Sequence, residues 1–230
     1  TVGHPPGDRS RCPRCGALRT VHATSTQLCP ACLLDTALDP DAQDEPGVDI
    51  DDAPPYDIET ILGRDTEAVT YLARGFLSRE PVALKVIDVP DVAEFASRAH
   101  AWKTRVASVR HPAVSRLIDA GTAGKGRVFL VTEYVAGPSL DYILSHRPPN
   151  DAERRDIVRQ LADALAAIHA QGLAHMRLDA RHVKVASGGA IRATILGLGT
   201  SLIVSGWPPR PALDTSALTD LCHELNVPLP

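Results

Sequence analysis

The sequence predicts an α+β protein of two lobes, the second of them short, preceded by a small metal-stapled module. Three observations carry this. Strand-like alternation runs from about Tyr56 to Val135, a long amphipathic helix pattern follows over Asp151–Ala170, and two Cys-x-x-Cys pairs lie ahead of both.

Residues 1–10 are polar and rich in Gly and Pro, as in a disordered tail. Residues 11–36 hold Cys12-Pro-Arg-Cys15 and Cys29-Pro-Ala-Cys32, the pairs separated by thirteen residues. Four thiolates suit tetrahedral zinc, and a closed site of this kind is structural, with no open position for chemistry. A segment this short cannot bury enough surface to fold alone, whereas zinc ligation is worth roughly 10–16 kcal/mol in small modules. The competing reading, a redox dithiol, lacks the surrounding βαβ pattern. The module resembles the zinc ribbons of many bacterial proteins. Its nearby cations, Arg9, Arg11, Arg14 and Arg19, come with no aromatic to stack a base, which argues against nucleic acid. Residues 37–55 turn to Asp, Pro and Gly and read as an acidic linker.

The upper lobe is assigned to 56–135. Thr70–Ala73 and Val82–Ile87 read as strands, with Val82, Leu84 and Val86 on one face. Asp91–Val109 reads as a helix ending before His111-Pro112. Val114–Ile118 and Val128–Thr132 read as two more strands, with Gly121, Gly124 and Gly126 marking the turn between them. Residues 136–230 form the lower lobe, opening at a hinge-like Gly137. Its clearest helix has Asn150 as N-cap and Glu153 three residues on, the signature of a capping box. Cys222 sits among apolar residues and reads as a small buried hydrophobe.

Composition narrows the partners. The 230 residues are 44% hydrophobic with a formal net charge of -4, and no basic stripe points to nucleic acid or an anionic membrane. The apolar run Val128–Val131 is too short to span a bilayer and no signal peptide opens the chain, so a soluble cytoplasmic protein is expected.

Several motifs stand in the order of the protein kinase family. Ile61-Leu62-Gly63 through Tyr71-x-Ala73 resembles its glycine-rich loop, and Val82-Ala83-Leu84-Lys85 its lysine strand. Phe129 to Val135, with Gly137 and Leu140, resembles the hinge. Leu173-Ala174-His175 resembles the entry to the catalytic loop, and Ile195 to Gly199 the magnesium-binding segment. The chain is similar in this way to bacterial serine/threonine kinases from about Tyr56 to Leu221, which implies a two-lobed kinase-like fold with a truncated C-lobe.

The chemistry the resemblance implies is depleted. Phosphoryl transfer needs a base, metal ligands and close backbone approach to the phosphates. Arg177 stands where the family has its catalytic aspartate, Asp179 and His182 where it has lysine and asparagine, and Gly197 where it has the metal-binding aspartate. Asp65 and Ala68 take two glycine positions of the loop, and Asp65 would repel phosphate at roughly 3 kcal/mol across 5 Å. The helix glutamate falls on Trp102, which would leave Lys85 without its ion-pair partner.

Lys85 is then the one retained catalytic-type residue, a vestigial nucleotide contact. The resemblance, so depleted, implies a catalytically inactive pseudokinase that scaffolds or regulates, with structural Zn²⁺ and with neither ATP nor Mg²⁺ expected. The alternative is a divergent serine/threonine kinase with Asp179 as its only loop carboxylate, or weak ATP binding through Lys85 and the hinge. A protein partner or second copy is expected to cover Leu218, Leu221 and Leu225 on the helix from Asp214, left bare by the missing lower-lobe helices.

Overall fold

The computed structural model describes residues 56–229 apart from 67, 76–77, 125, 187–189 and 205–207. The tail, the four-cysteine module with Cys12, Cys15, Cys29 and Cys32, and the acidic linker lie outside the described residues.

The upper lobe is one antiparallel sheet of β1 (Tyr56–Arg64), β2 (Ala68–Gly75), β3 (Pro81–Asp88), β4 (Leu117–Thr122) and β5 (Arg127–Glu133), ordered β1-β2-β3-β5-β4. Period-two alternation gives it two apolar faces. Val82, Leu84 and Val86 share one with Tyr71, Ala73, Phe129 and Val131. The other gathers Ala68, Ile87, Val128 and Leu130 against Phe95 and Trp102 of α1 (Val92–Ser108). Asp91 caps α1 by accepting from the Glu94 amide at 2.9 Å, and the helix stops one residue before the predicted end.

The strand predicted at Val114–Ile118 is displaced. Val114 makes only an isolated bridge to Ile195, while β4 begins at Leu117 and includes Gly121, which sequence reading puts in the turn. Gly121 pairs with Phe129, and a Cβ there would sit 2.8 Å from the Phe129 ring, so glycine serves side-chain packing rather than the turn.

Below the hinge come α2 (Leu140–His146), α3 (Asp151–Ala170), a two-stranded sheet of β6 (Val183–Ala186) and β7 (Arg192–Ile195), α4 (Thr200–Val204) and α5 (Pro211–Leu225). The capping box on α3 is formed: Asn150 Oδ1 accepts from the Ala152 and Glu153 amides at 3.0 Å, and the Glu153 carboxylate accepts from the Asn150 backbone amide at 2.9 Å. Caps of this kind contribute about 1 kcal/mol. Ile157, Leu161, Ala164, Leu165 and Ile168 of α3 build the largest core cluster. The Val185 amide donates to the Pro138 carbonyl, tying β6 to the hinge.

The exposed face predicted on the last helix is absent. Leu218, Leu221, Cys222 and Leu225 are all buried in the α3 cluster, because α5 packs directly on α3. The apolar stripe has an intrachain partner, so it is core and not a docking face; the Cys222 reading holds. Among the described residues no helix is long and apolar enough to cross a membrane.

Leu221→Ala is therefore expected to lower folding stability by about 2–5 kcal/mol. Chemical denaturation at several protein concentrations checks this: a core residue gives a concentration-independent loss, and a loss seen only at low concentration would restore the interface reading.

Candidate functional site

Lys85 projects from β3, opposite Thr70 and Leu130, on the face away from Val82 and Val86. Its ammonium lies 3.0 Å from the Asp65 carboxylate, with the lysine side chain only 16% exposed. Asp65 is held in the turn after β1, its amide donating to the Ala68 carbonyl at 2.9 Å. Two expectations change here. Lys85 does have an ion-pair partner, supplied by the loop rather than by α1, and Asp65 is neutralised by that lysine instead of standing as a bare charge.

Trp102, at the position of the family's helix glutamate, packs against both the sheet cluster and the lower-lobe cluster. Its ring explains Gly199. That residue has φ +95°, and a Cβ on it would meet Trp102 Cζ2 at 2.6 Å. The indole thus occupies the junction between α1 and the segment after β7. Phe95 stacks edge-on to it at 6.1 Å.

The lower wall is the loop from Leu173 to His182. Asp214 of α5, fully buried, accepts hydrogen bonds from the His175 amide at 2.8 Å, the Met176 amide at 2.6 Å and His169 Nε2 at 2.9 Å. These hold Met176 at φ +66°, a region that L-residues avoid. His175 is buried, as the sequence reading expects, with Nε2 bonded to the Leu196 carbonyl at 2.7 Å. Burial outweighs that bond and holds its imidazole down to about 4, so it is neutral.

Asp179 caps the 3-10 turn Ala180–His182. Its Oδ1 accepts from the Arg181 and His182 amides and from His182 Nδ1 at 2.8 Å, while Oδ2 accepts from Arg181 Nη2 at 2.7 Å. Burial works to raise this carboxyl, but the bonds from His182 and Arg181 overcome it and hold Asp179 well below the usual carboxylate range. The Asp179 bond raises the Arg181 guanidinium, with smaller electrostatic support from Asp141 of α2 and from Asp65.

Gly197 completes the site. A Cβ there would lie 3.7 Å from both His182 Cδ2 and Thr200 Oγ1. The Leu196 amide donates to the His182 carbonyl at 2.8 Å, locking the two segments together. The two positions where the family carries magnesium ligands offer no carboxylate here: Gly197 has no ligand atom, and His182 has one nitrogen committed to Asp179. The structure thus brings Lys85, Asp65, Asp179, Arg181, His182 and Gly197 to one cleft. Sequence reading missed three contacts: Asp65 with Lys85, Asp214 with the loop, and Asp179 with His182. Only the last had a local signal, an Asp three residues before a His at a turn.

The family model described as protein kinase domain matches residues 56–202. CBL-interacting protein kinase 4 of Oryza sativa subsp. japonica is 37% identical over 150 residues, covering 62% of this chain and 33% of that protein. Serine/threonine-protein kinase pkn2 of Myxococcus xanthus is 32% identical over 146 residues, covering 62% of this chain and 18% of that protein. The chain spans a third or less of the length of these curated relatives. Among solved structures, Rad53 1-466 in complex with AMP-PNP aligns with TM-score 0.55 at 19% identity over 63% of this chain and 38% of that chain, a likeness of fold.

These matches correct the reading of the chain as a non-enzyme. That reading equated the carboxylates lost at Arg177, His182 and Gly197 with a loss of chemistry. The family match and the relatives named as kinases run against it. The physical reason is that polar groups persist at other positions of the same cleft, where counting by family position does not look.

The neutral, buried His175 gives a pH dependence. The unfolded chain takes a proton near pH 6.5 that the folded chain refuses until about 4, so the unfolded state binds more protons in that window and stability falls as pH is lowered through it. The slope has a ceiling of roughly 1.4 kcal/mol per pH unit. Denaturation of wild type and His175→Gln between pH 7 and 4 checks this: the variant is expected to lack that part of the slope, and parallel curves would refute it.

Proposed function

Because this chain belongs to the protein kinase domain family, we propose that it is a divergent serine/threonine protein kinase that binds ATP between its lobes with Lys85 as the phosphate contact. One observation carries the reading. Lys85 is kept on the correct strand, its ammonium held 3.0 Å from a carboxylate of the loop that covers the family's phosphates. A lysine retained only for its stem would not be poised there. The Glu133–Val135 backbone would take the base. The Rad53 structure of similar fold is a complex with AMP-PNP, which is consistent with a nucleotide between lobes of this kind.

Binding requires Asp65 to release Lys85. The lysine cannot give its full charge to a phosphate while the carboxylate holds it, so affinity is weakened by the pair. Thermal melts with ATP test this. ATP at 100 times its Kd is expected to stabilise the wild type by about 2.7 kcal/mol. Lys85→Ala should lose most of that shift, and Asp65→Asn should show it at lower ATP. Melts unmoved by ATP in wild type and Asp65→Asn would rule the reading out.

Cysteine spacing alone supports a second proposal, one structural zinc on Cys12, Cys15, Cys29 and Cys32. Elemental analysis of the purified chain is expected to find one zinc per molecule, absent after Cys12→Ser with Cys29→Ser. Metal-free protein with four titratable thiols would count against it.

A further inference from the structure

The loop has lost the family's proton acceptor, yet it holds another pair built for that work. The Asp179 carboxylate is ionised and only accepts, so the 2.8 Å contact places the proton of His182 on Nδ1. In the neutral ring the lone pair then lies on Nε2. This is the arrangement by which a carboxylate fixes the tautomer of an imidazole that acts as a base. Asp179 divides its work cleanly: Oδ1 serves His182 and two amides, Oδ2 serves the Arg181 guanidinium.

The far edge of the ring faces the reaction space. Cδ2, the atom bonded to Nε2, lies 3.7 Å from where a Cβ on Gly197 would stand. No hydrogen bond reaches Nε2 among the described residues, and the side chain is 28% exposed, so a substrate can approach it. The ring is braced on its other side by His175, edge to face at 5.6 Å. The charged and titratable groups around it are Asp179 and Arg181 on its own turn, Asp141 from α2 packed on that turn, neutral His175 from the loop, and Asp65 with Lys85 from the upper lobe. From the segment after β7 the neighbours are Gly197 and the Thr200 hydroxyl, neither a charge.

We propose that His182, held by Asp179, is the proton acceptor for the substrate hydroxyl, in place of the carboxylate the family carries at position 177. The inference rests on the ATP-dependent kinase reading above. The hydroxyl oxygen bonds to the γ-phosphorus of ATP, the bond from that phosphorus to the β–γ bridging oxygen breaks, and its electron pair leaves with ADP. The hydroxyl proton passes to Nε2. The imidazolium formed is offset by the Asp179 carboxylate. His182 is then a catalytic residue and Asp179 a positioning one.

The test uses the full chain with γ-labelled ATP and magnesium, following both autophosphorylation and a generic protein substrate. Wild type, His182→Asn and Asp179→Asn are compared after their melting temperatures show that each is folded. His182→Asn installs the family's own residue, so it separates a base from a simple ligand replacement. Its kcat is expected to fall by about 100-fold or more, with KM for ATP within about twofold. The wild-type kcat should rise with pH through one ionisation that His182→Asn lacks. Asp179→Asn should lower kcat with KM for ATP within about twofold, because the imidazole has lost the acceptor that fixes its tautomer.

Added imidazole should partly rescue His182→Gly. A His182→Asn enzyme as fast as wild type overturns the proposal, as does a wild type that binds ATP in thermal melts but transfers no label. Absence of any ATP-dependent shift in the melt would instead overturn the nucleotide reading beneath it, and this inference with it.

Discussion

The lower lobe depends on one buried carboxylate. Asp214 takes two backbone amides and a histidine nitrogen, and it does so from a helix whose other buried positions are leucines and a cysteine. Without it, two amides in a dry core would go unpaired, at about 1–3 kcal/mol each, and the left-handed Met176 would lose what holds it. Everything downstream is referenced to that anchor. His175 fixes Leu196, Leu196 fixes the His182 backbone, and so the two segments that face the cleft move as one body.

The cleft has a second constraint, of charge. Its cations are met by acids from within the chain: Lys85 by Asp65, and Arg181 by Asp179. The two pairs differ in cost. The Arg181–Asp179 pair is largely exposed on the arginine side and contributes little stability by itself, whereas Lys85 is mostly withdrawn from water and needs its partner. The pairing keeps the cleft charge-balanced on its own, and an incoming phosphate must compete with a carboxylate rather than fill a void.

Much of the architecture was legible in the sequence because it rests on local rules. Period-two alternation gave β3, the Asn150–Glu153 box gave the start of α3, and proline after His111 marked the end of α1 within a residue. The misplacement of β4 arose because Gly121 looks like a turn residue and is in fact the partner of an aromatic ring, a fact that lives on the neighbouring strand. The site was half legible for the same reason. Motif order located Lys85, Gly197 and His182, but the pairing of Lys85 with Asp65 spans twenty residues and that of Asp214 with His175 thirty-nine, and no periodicity reports contacts of that range. The burial of Leu221 was misjudged because the apolar stripe of α5 was assigned to neighbours outside α3, when α3 itself covers it.

The departures from the family pattern are coupled rather than separate losses. The ring edge of His182 lies in ordinary contact range, 3.7 Å, of where a side chain on Gly197 would begin, and it is the φ of +78° at that position that favours glycine. Trp102 constrains Gly199 sterically as well, since a Cβ there would meet the indole at 2.6 Å. Asp179 stands where the family has a cation, and that reversal of charge is what orients both Arg181 and His182. Restoring one family residue at a time would therefore disturb the present arrangement: an aspartate at 197 would be strained by the +78° φ of that position, and a lysine at 179 would release His182.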